Sequence, residues 1–480
     1  MNLKQFFEEK GYSIKEKEDF STYIEKWNSW YVAKVKGFHN YWIYNRPGHK
    51  VKRQKRSMQM AKKVCEDWAD LLYNERVKIA FKNDKDTELL NKIFDMINFT
   101  VIVNRGIEKS FALGTGALVL SIQNLKTDGT NYIVDENTKP KIEFVEAQKI
   151  YPLSWDHDEI TECAFVTYRT EKGKNYVYIS MHIKDENGKY IIKNFKFKVN
   201  NKQLEETEDD TILKEFDTQG TTPWFSIIKP NICNNIDFET PFGISIFANS
   251  IFTLMNLDNI YDSKDLEITL GRRRTFISED MMSFTTDGNE LMPAFDPNDI
   301  SVYALPKGFN KDMLIQSDND DLRTDKMIAA LNSELNILSS KVGFGNERYK
   351  FERSEIKTAT EVISVNSDMY RTIKKHELVL ENALLNFIRA IVEGCKNYTK
   401  YEFSNDIEEI KIDFDDSIIE DKATEQLRAQ TEVGQGLRSK IDYLQNIRGF
   451  GKEKAEEELE SIRNEKITNQ QAFGFEVSEE

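Results

Sequence analysis

Between Thr358 and Gly394 the chain has no proline, and apolar residues recur every three or four positions: Ala359, Val362, Ile363, Met369, Tyr370, Ile373, Leu380, Leu384, Phe387, Ile388 and Ile391. That period fits one continuous helix of about ten turns with a single buried stripe. Thr358 and Glu361 have the spacing of a capping box at its start, and Gly394 offers a stop. Immediately before it lies a Gly-flanked, charge-dense loop, Gly343-Phe-Gly345-Asn-Glu-Arg348-Tyr-Lys350-Phe-Glu-Arg353. Arg348, Lys350 and Arg353 alternate there with Glu347, Glu352 and Glu355, which dilutes the positive charge. A basic loop carried on a rigid rod suits contact with a passing partner better than it suits an active site.

At 480 residues the chain exceeds what one hydrophobic core usually organises, so two or more domains are expected. Charged residues at 31% and hydrophobic ones at 39% describe a soluble folded protein. The longest strongly apolar run, Phe111–Ile122, falls short of the roughly 20 residues that span a bilayer. Acids interrupt the first residues, so they do not read as a signal peptide. Cys65, Cys163, Cys233 and Cys395 lie far apart, indicating neither a zinc site nor a disulfide frame and favouring a reducing cytoplasm. The net charge of −15 argues against a protein that coats nucleic acid. The charge is uneven: residues 402–480 hold 21 acids against 10 bases, whereas Arg46–Lys63 holds eight Lys/Arg and no acid. That basic run reads as a solvated face or a subunit contact before a nucleic-acid patch.

Along the chain, Ser57 is placed as the N-cap of a helix to Asn74 with Met60, Ala61, Val64, Trp68, Leu71 and Leu72 on one face. A second helix is expected over about Thr87–Phe99. From Ala117 to Pro230 the period switches to two, giving strands at Ala117–Ile122, Lys141–Val145, Ala164–Arg169, Tyr176–His182 and Tyr190–Val199. Turns fall at Asp128-Gly129, Lys172-Gly173 and Asn187-Gly188, the last reading as a two-residue hairpin. A helix over Gly243–Leu270 carries Ile244, Phe247, Ile251, Leu254, Leu257 and Tyr261 as its stripe, with Asp258, Asp262 and Asp265 sharing another face. Short pieces follow, then a helix over Asp325–Val342 with Ile328, Leu331, Leu335 and Leu338 on one side. Such narrow stripes imply lateral packing of this helix pair against identical copies.

The run Ile356–Glu377, the block Ser57–Glu75 and the helix–turn–helix Gly436–Ile462 resemble segments of portal proteins from long-tailed double-stranded DNA phages of Gram-positive bacteria. The resemblance implies a mainly α fold with an inserted β-rich subdomain, of α+β class, in a ring-forming architecture of wing, stem, clip and crown. The division it implies is a wing over 1–240 that includes a β-rich part at 115–230, a first stem helix at 241–271 and a clip at 272–321. A second stem helix at 322–342, a tunnel loop at 343–357, a long wing helix and strand at 358–415 and a crown and tail at 416–480 complete it. The implied role is a head–tail connector: a dodecameric channel at one capsid vertex through which DNA is packaged and ejected, assembled in the host cytoplasm. Implied partners are further copies of itself, passing duplex DNA, the large terminase, major capsid and scaffolding proteins and a head-completion adaptor, with no membrane and no cofactor. Arg348, Lys350, Arg353 and Lys357 are the expected DNA-facing loop residues. Arg272, Arg273 and Arg274 form a basic cluster of clip or stem that would meet DNA, a partner or the acids of a neighbouring stem. Ile251, Leu254, Leu257, Leu331, Leu335 and Leu338 are the expected subunit-packing positions.

Rival readings are a metal-dependent nuclease and another minor capsid-assembly protein. Asp413, Asp415 and Asp416, with Asp318, Asp320 and Asp321, have the residue type of a two-metal site but no supporting His or Lys at motif spacing. They read better as solvated caps. Gly449-Phe-Gly451-Lys-Glu-Lys-Ala455 fits a phosphate-holding hairpin, yet the acids Glu453, Glu456, Glu457, Glu458 and Glu460 surround it and would repel phosphate. No phosphate-cradling loop, dinucleotide turn or nucleophile elbow is complete, and His39, His49, His157, His182 and His376 show no metal spacing. Asp156-His157-Asp158 reads as an exposed turn, and no enzyme is expected.

Overall fold

The structure is a computed structural model, which describes residues 1–44, 48–128, 131–200, 203–207, 212–270, 274–278, 284–287, 290–293, 302–305, 315–318, 322–346, 348–350, 359–404, 410–414, 429–447 and 454–462. In chain order the main unit opens with helices α1 (Leu3–Glu9) and α2 (Lys15–Tyr31), the hairpin β1 (Asn40–Tyr44) and β2 (Lys50–Gln54), and α3 (Met60–Leu72). Next come β3 (Lys78–Phe81), α4 (Asp84–Ile97), α5 (Phe99–Leu113), β4 (Gly116–Gln123), β5 (Lys126–Asp128), β6 (Asn131–Ile133) and β7 (Lys139–Glu146). Then follow β8 (Ile150–Asp156), β9 (Glu159–Glu171), β10 (Lys174–Lys184), β11 (Tyr190–Asn200), β12 (Gln203–Glu206), β13 (Glu215–Asp217) and β14 (Phe225–Ile228). Helix α6 (Ile251–Leu270) leads to β15 (Arg274–Ser278), β16 (Phe284–Asp287), β17 (Glu290–Pro293), β18 (Val302–Leu305) and β19 (Ile315–Asp318). The chain returns through α7 (Thr324–Lys341), α8 (Ala359–Tyr398) and β20 (Ile410–Asp413). The class is α+β, as the change of hydrophobic period requires.

An antiparallel sheet in the order β12-β11-β10-β9-β8, with β13 added on β11, carries its own small core. Phe6 and Phe7 of α1 cover one face, packed against Val166, Val177, Ile179 and Phe197. The larger core joins α2, α3, α5, α6, α7 and α8 to the sheet β14-β4-β7. Strands β3 and β20 pair across a long sequence separation. Between α6 and α7, β15 pairs in parallel with β18 and antiparallel with β19, beside the hairpin β16–β17. Residues from Asp415 onward form a second compact unit, helical over 429–434, 440–447 and 454–462. Ala455 is buried there while Glu456, Glu457, Glu458 and Glu460 are exposed.

Several expectations are corrected. Helix α3 starts at Met60 behind a left-handed Gln59 (φ 54°) with no side-chain cap, and Ser57 turns elsewhere. The second helix ends at Ile97, where left-handed Asn98 redirects the chain and Phe99 opens α5. The tight hairpin is at Lys172-Gly173 (φ 49° and 76°), where Glu171 pairs with Lys174. At Asn187-Gly188 the loop is wider, because the Asp185 carboxylate accepts the amides of Asn187 (2.9 Å) and Lys189 (2.7 Å). Gly243–Phe247 is not helical: Ile244 and Phe247 are core residues of a connector ahead of α6, and Tyr261 stands outside the buried stripe. Gly394 does not stop α8, which runs on to Tyr398. A Cβ at Gly394 would lie 3.1 Å from Leu120 and 3.2 Å from Trp224, so the glycine serves close packing of helix on sheet. The capping pair Thr358 and Glu361 lies outside the residues whose side chains are described.

The largest correction concerns the stripes of α6 and α7. Ile251, Leu254, Leu257, Leu331, Leu335 and Leu338 are all buried within one chain, in the same core as Trp68, Val342 and Phe344. The two helices face each other and the body of the unit, so these positions face their own chain and not a neighbouring copy. The α6 surface left open carries Phe252, with Ile337 exposed on α7.

Candidate functional site

Two polar and aromatic junctions fix the elements that the sequence marks for function. The first joins the basic run to the acidic face of α6. Successive acids at Asp258, Asp262 and Asp265 line one side of the helix, and His39, Arg53 and residues 56–58 contact them. The amide of Val35 donates to His39 Nδ1 (3.0 Å), which leaves Nε2–H to donate to Asp258 (2.9 Å). Asp258 also accepts the Ser57 hydroxyl (2.9 Å) and the Met58 amide (2.8 Å). A buried carboxylate with three donors is satisfied, and losing one donor costs about 1–3 kcal/mol. Asp262 accepts the Arg56 amide (3.1 Å) and faces the Arg53 guanidinium (3.6 Å), while the Arg56 side chain pairs with Asp265 (2.9 Å). Lys55 Nζ sits 3.8 Å over the Phe38 ring.

Arg53 and Arg56 of the basic run therefore neutralise acids on a helix of their own chain. Glu267 is held by Arg323 through two bonds of 3.0 and 2.8 Å, which ties the end of α6 to the start of α7. The acids once available to Arg272–Arg274 of a neighbour are thus engaged internally. Arg272 and Arg273 lie outside the described residues, and Arg274 opens β15.

The second junction is the root of the loop after α7. Trp68 of α3 is fully buried, donates its indole N–H to the Val342 carbonyl (3.1 Å) and stacks on Phe344 at 4.6 Å and 17°. His376 of α8 meets Trp68 in an edge-to-face contact at 4.7 Å. Tyr349 donates to Asp67 (2.8 Å), which also takes Lys63 (2.7 Å); burial and that carboxylate push the phenol well above its usual range. Phe344 and Tyr349 are therefore both tied to α3, by aromatic stacking and a partly buried hydrogen bond. Arg348 is exposed with its guanidinium 5.8 Å from the Phe344 ring, and Lys350 is half-buried. Arg353 and Lys357 lie outside the described residues.

Sequence reasoning missed two desolvated cations, one buried and one half-buried. Lys17 lies on the α2 stripe with Phe20, Ile24 and Trp27, donates to the Ala147 carbonyl and sits over the rings of Phe242 (5.1 Å) and Tyr151 (5.4 Å). Burial lowers its pKa to about 7. Lys229, held by the carbonyls of Asp158 and Pro241, is lowered to about 8 for the same reason. A lysine in phase with three large apolar residues was the available signal. His182 and His376 are both lowered to about 3, chiefly by burial.

Among the described residues no group of three or more His, Cys, Asp or Glu could hold a metal ion. Asp413 is exposed on β20 beside Lys411 (3.7 Å), and the other acids of the two proposed clusters lie outside the described residues, apart from Asp318 on β19. His157 stands on an exposed turn with φ 51°. No described helix is long and apolar enough to cross a membrane.

The model of the family described as phage portal protein, SPP1 Gp6-like, matches residues 10–472. No curated protein matches the sequence. Among solved structures, the chain is similar to one in the neck of a native GTA particle computed with C12 symmetry. The identity is 10%, over 81% of this chain and 88% of that one, with a TM-score of 0.37. With the family model spanning nearly the whole sequence, the chain belongs to the phage portal protein family, a structural family, and is a portal (head–tail connector) subunit of a bacteriophage particle.

Proposed function

We propose that copies of this chain close into a dodecameric ring at one capsid vertex, assembled in the host cytoplasm. Its bore passes duplex DNA inward during packaging and outward during ejection. The large terminase docks on it first, and a head-completion adaptor replaces the motor afterwards. The work is geometric: no bond is made or broken, and the ring sets a bore that DNA slides through. Within each subunit the reading assigns α6 and α7 to a stem, the strands between them to a clip, 343–357 to a tunnel loop and 416–480 to a crown.

The observation that carries the loop assignment is its root. Phe344 stacks on Trp68 and Tyr349 bonds to Asp67, and Arg348 between them is exposed. Alternation of Arg348, Lys350, Arg353 and Lys357 with Glu347, Glu352 and Glu355 keeps the net charge small, which favours sliding over gripping. Replacing all four cations with Ala tests this: ring mass by light scattering stays unchanged, while the packaged or retained DNA per particle falls. Loss of rings would make the loop structural, and normal packaging would remove it from the DNA path.

A further inference from the structure

The hairpin β1–β2 pairs with no other strand among the described residues. A two-stranded ribbon is marginal in water by itself, so something beyond its own pairing holds it. Its root is fixed to the chain: the Lys55 amide donates to the His39 carbonyl (2.8 Å), and Arg53 and Arg56 reach Asp262 and Asp265 on α6. Beyond that root the register sets Trp42 opposite Lys52 and Tyr44 opposite Lys50, so two rings and two ammonium groups share one face. Ile43 and Val51 face each other on the opposite side. All of these are open: Trp42 is 56% exposed and Tyr44 73%, and Ile43, Val51, Lys50 and Lys52 are exposed as well. Lys50 Nζ stands 5.0 Å from the Trp42 ring centre.

We propose that this hairpin is a clasp that seats on a second copy of the same chain, next to it in the ring. Charge selects that partner. Arg53 and Arg56 are engaged on α6, but Lys50 and Lys52 stay exposed on a ribbon that carries no acid, in a chain whose net charge is −15, so the acidic surface of a neighbouring copy attracts them. Shape selects it too. A duplex phosphate backbone neutralises Lys50 and Lys52 but leaves the Ile43–Val51 pair in water, whereas a protein groove covers both faces of a ribbon. A ring contact is heterologous, so each subunit must present a donor patch and a different acceptor patch, and a hairpin projecting from one flank meets the first need. The clasp rests on the ring reading given above.

The test uses the full-length chain with a photo-crosslinking benzoylphenylalanine in place of Tyr44, irradiated with and without random-sequence duplex DNA. Covalent chain–chain dimers, mapped by mass spectrometry to residues of a second copy, are expected in both samples. Rings that form while the probe reacts only with DNA, or with nothing but its own chain, overturn the clasp and leave the ring reading intact. A chain that stays monomeric by light scattering overturns both. A second variant, Trp42→Ser with Tyr44→Ser, should keep the circular dichroism of the native subunit. Its association should weaken about tenfold or more, as expected for two interface aromatics; unchanged association would equally overturn the clasp.

Discussion

Polar residues enclosed by apolar neighbours make the stability of this chain depend on pH. His182 and His376 bind a proton less readily folded than unfolded, since burial lowers both to about 3 from an ordinary value of 6.5. Between those limits the unfolded chain holds more protons, so stability falls as pH drops below about 6.5, by up to ~1.4 kcal/mol per pH unit for each histidine. Thermal melts from pH 7 to pH 4 should show that slope. It should shrink in His182→Gln, and an unchanged slope would exclude this histidine as a source. Lys17 acts at the other end of the scale. Its folded pKa of about 7 lies below the unfolded 10.5, so the unfolded state again holds more protons and stability rises from pH 7 toward pH 10. Lys17→Met should flatten that rise and raise stability at pH 7, because a matched apolar chain carries no desolvation penalty. None of these partners was legible in the sequence. Periodicity reports which face is buried, not which polar side chain rides on it, and the three donors to Asp258 come from residues some 200 positions away.

The helices and strands that the sequence reading placed rest on a single sustained period, α2 with Phe20, Ile24 and Trp27 in phase went unread, and boundaries failed where backbone geometry took over from pattern. The stripe of α8 is buried from Met369 to Ile391, and each of the strands foreseen between Ala117 and Val199 exists, all of them longer, by up to five residues at one end. The start of α3 and the break between α4 and α5 depend on left-handed Gln59 and Asn98, which no hydrophobic count reveals. Gly394 is the instructive case, because glycine late in a helix pattern usually marks its end. Here Leu120 and Trp224 come so close that a side chain has little room. Gly394→Ala should be nearly neutral, since helix propensity gains about 0.5–1 kcal/mol while the Cβ presses on two neighbours. Gly394→Val adds two methyl groups into the same contact and should cost about 1–3 kcal/mol. Denaturant midpoints of the two variants decide it, and a Val variant as stable as the Ala one would mean that α8 and β4 are not in firm contact.

At the scale of the assembly, the leucine stripes and the open faces of α6 and α7 must play different parts. A sequence shows that Leu254 and Leu257 need cover, but not whether the cover comes from the same chain or the next. In the subunit the answer is the same chain: Leu257 is 0% exposed, packed within the core that also holds Leu335 and Leu338. Phe252, one turn earlier on α6, is 79% exposed and has no such cover. If rings form through the open faces, the two positions separate folding from assembly. Leu257→Asp places a charge where no partner exists, and the expected result is loss of the folded subunit itself, seen as a lowered melting temperature at any protein concentration. Phe252→Asp should leave the unfolding free energy of the isolated subunit within about 0.5 kcal/mol of native, the usual range for surface changes. Its effect should appear instead in light scattering, as a shift from ring mass toward monomer that higher concentration partly reverses. A Leu257→Asp subunit that stays folded and merely fails to associate would return the stripes to the subunit interface, and full-mass rings from Phe252→Asp would move the contact away from this face of α6.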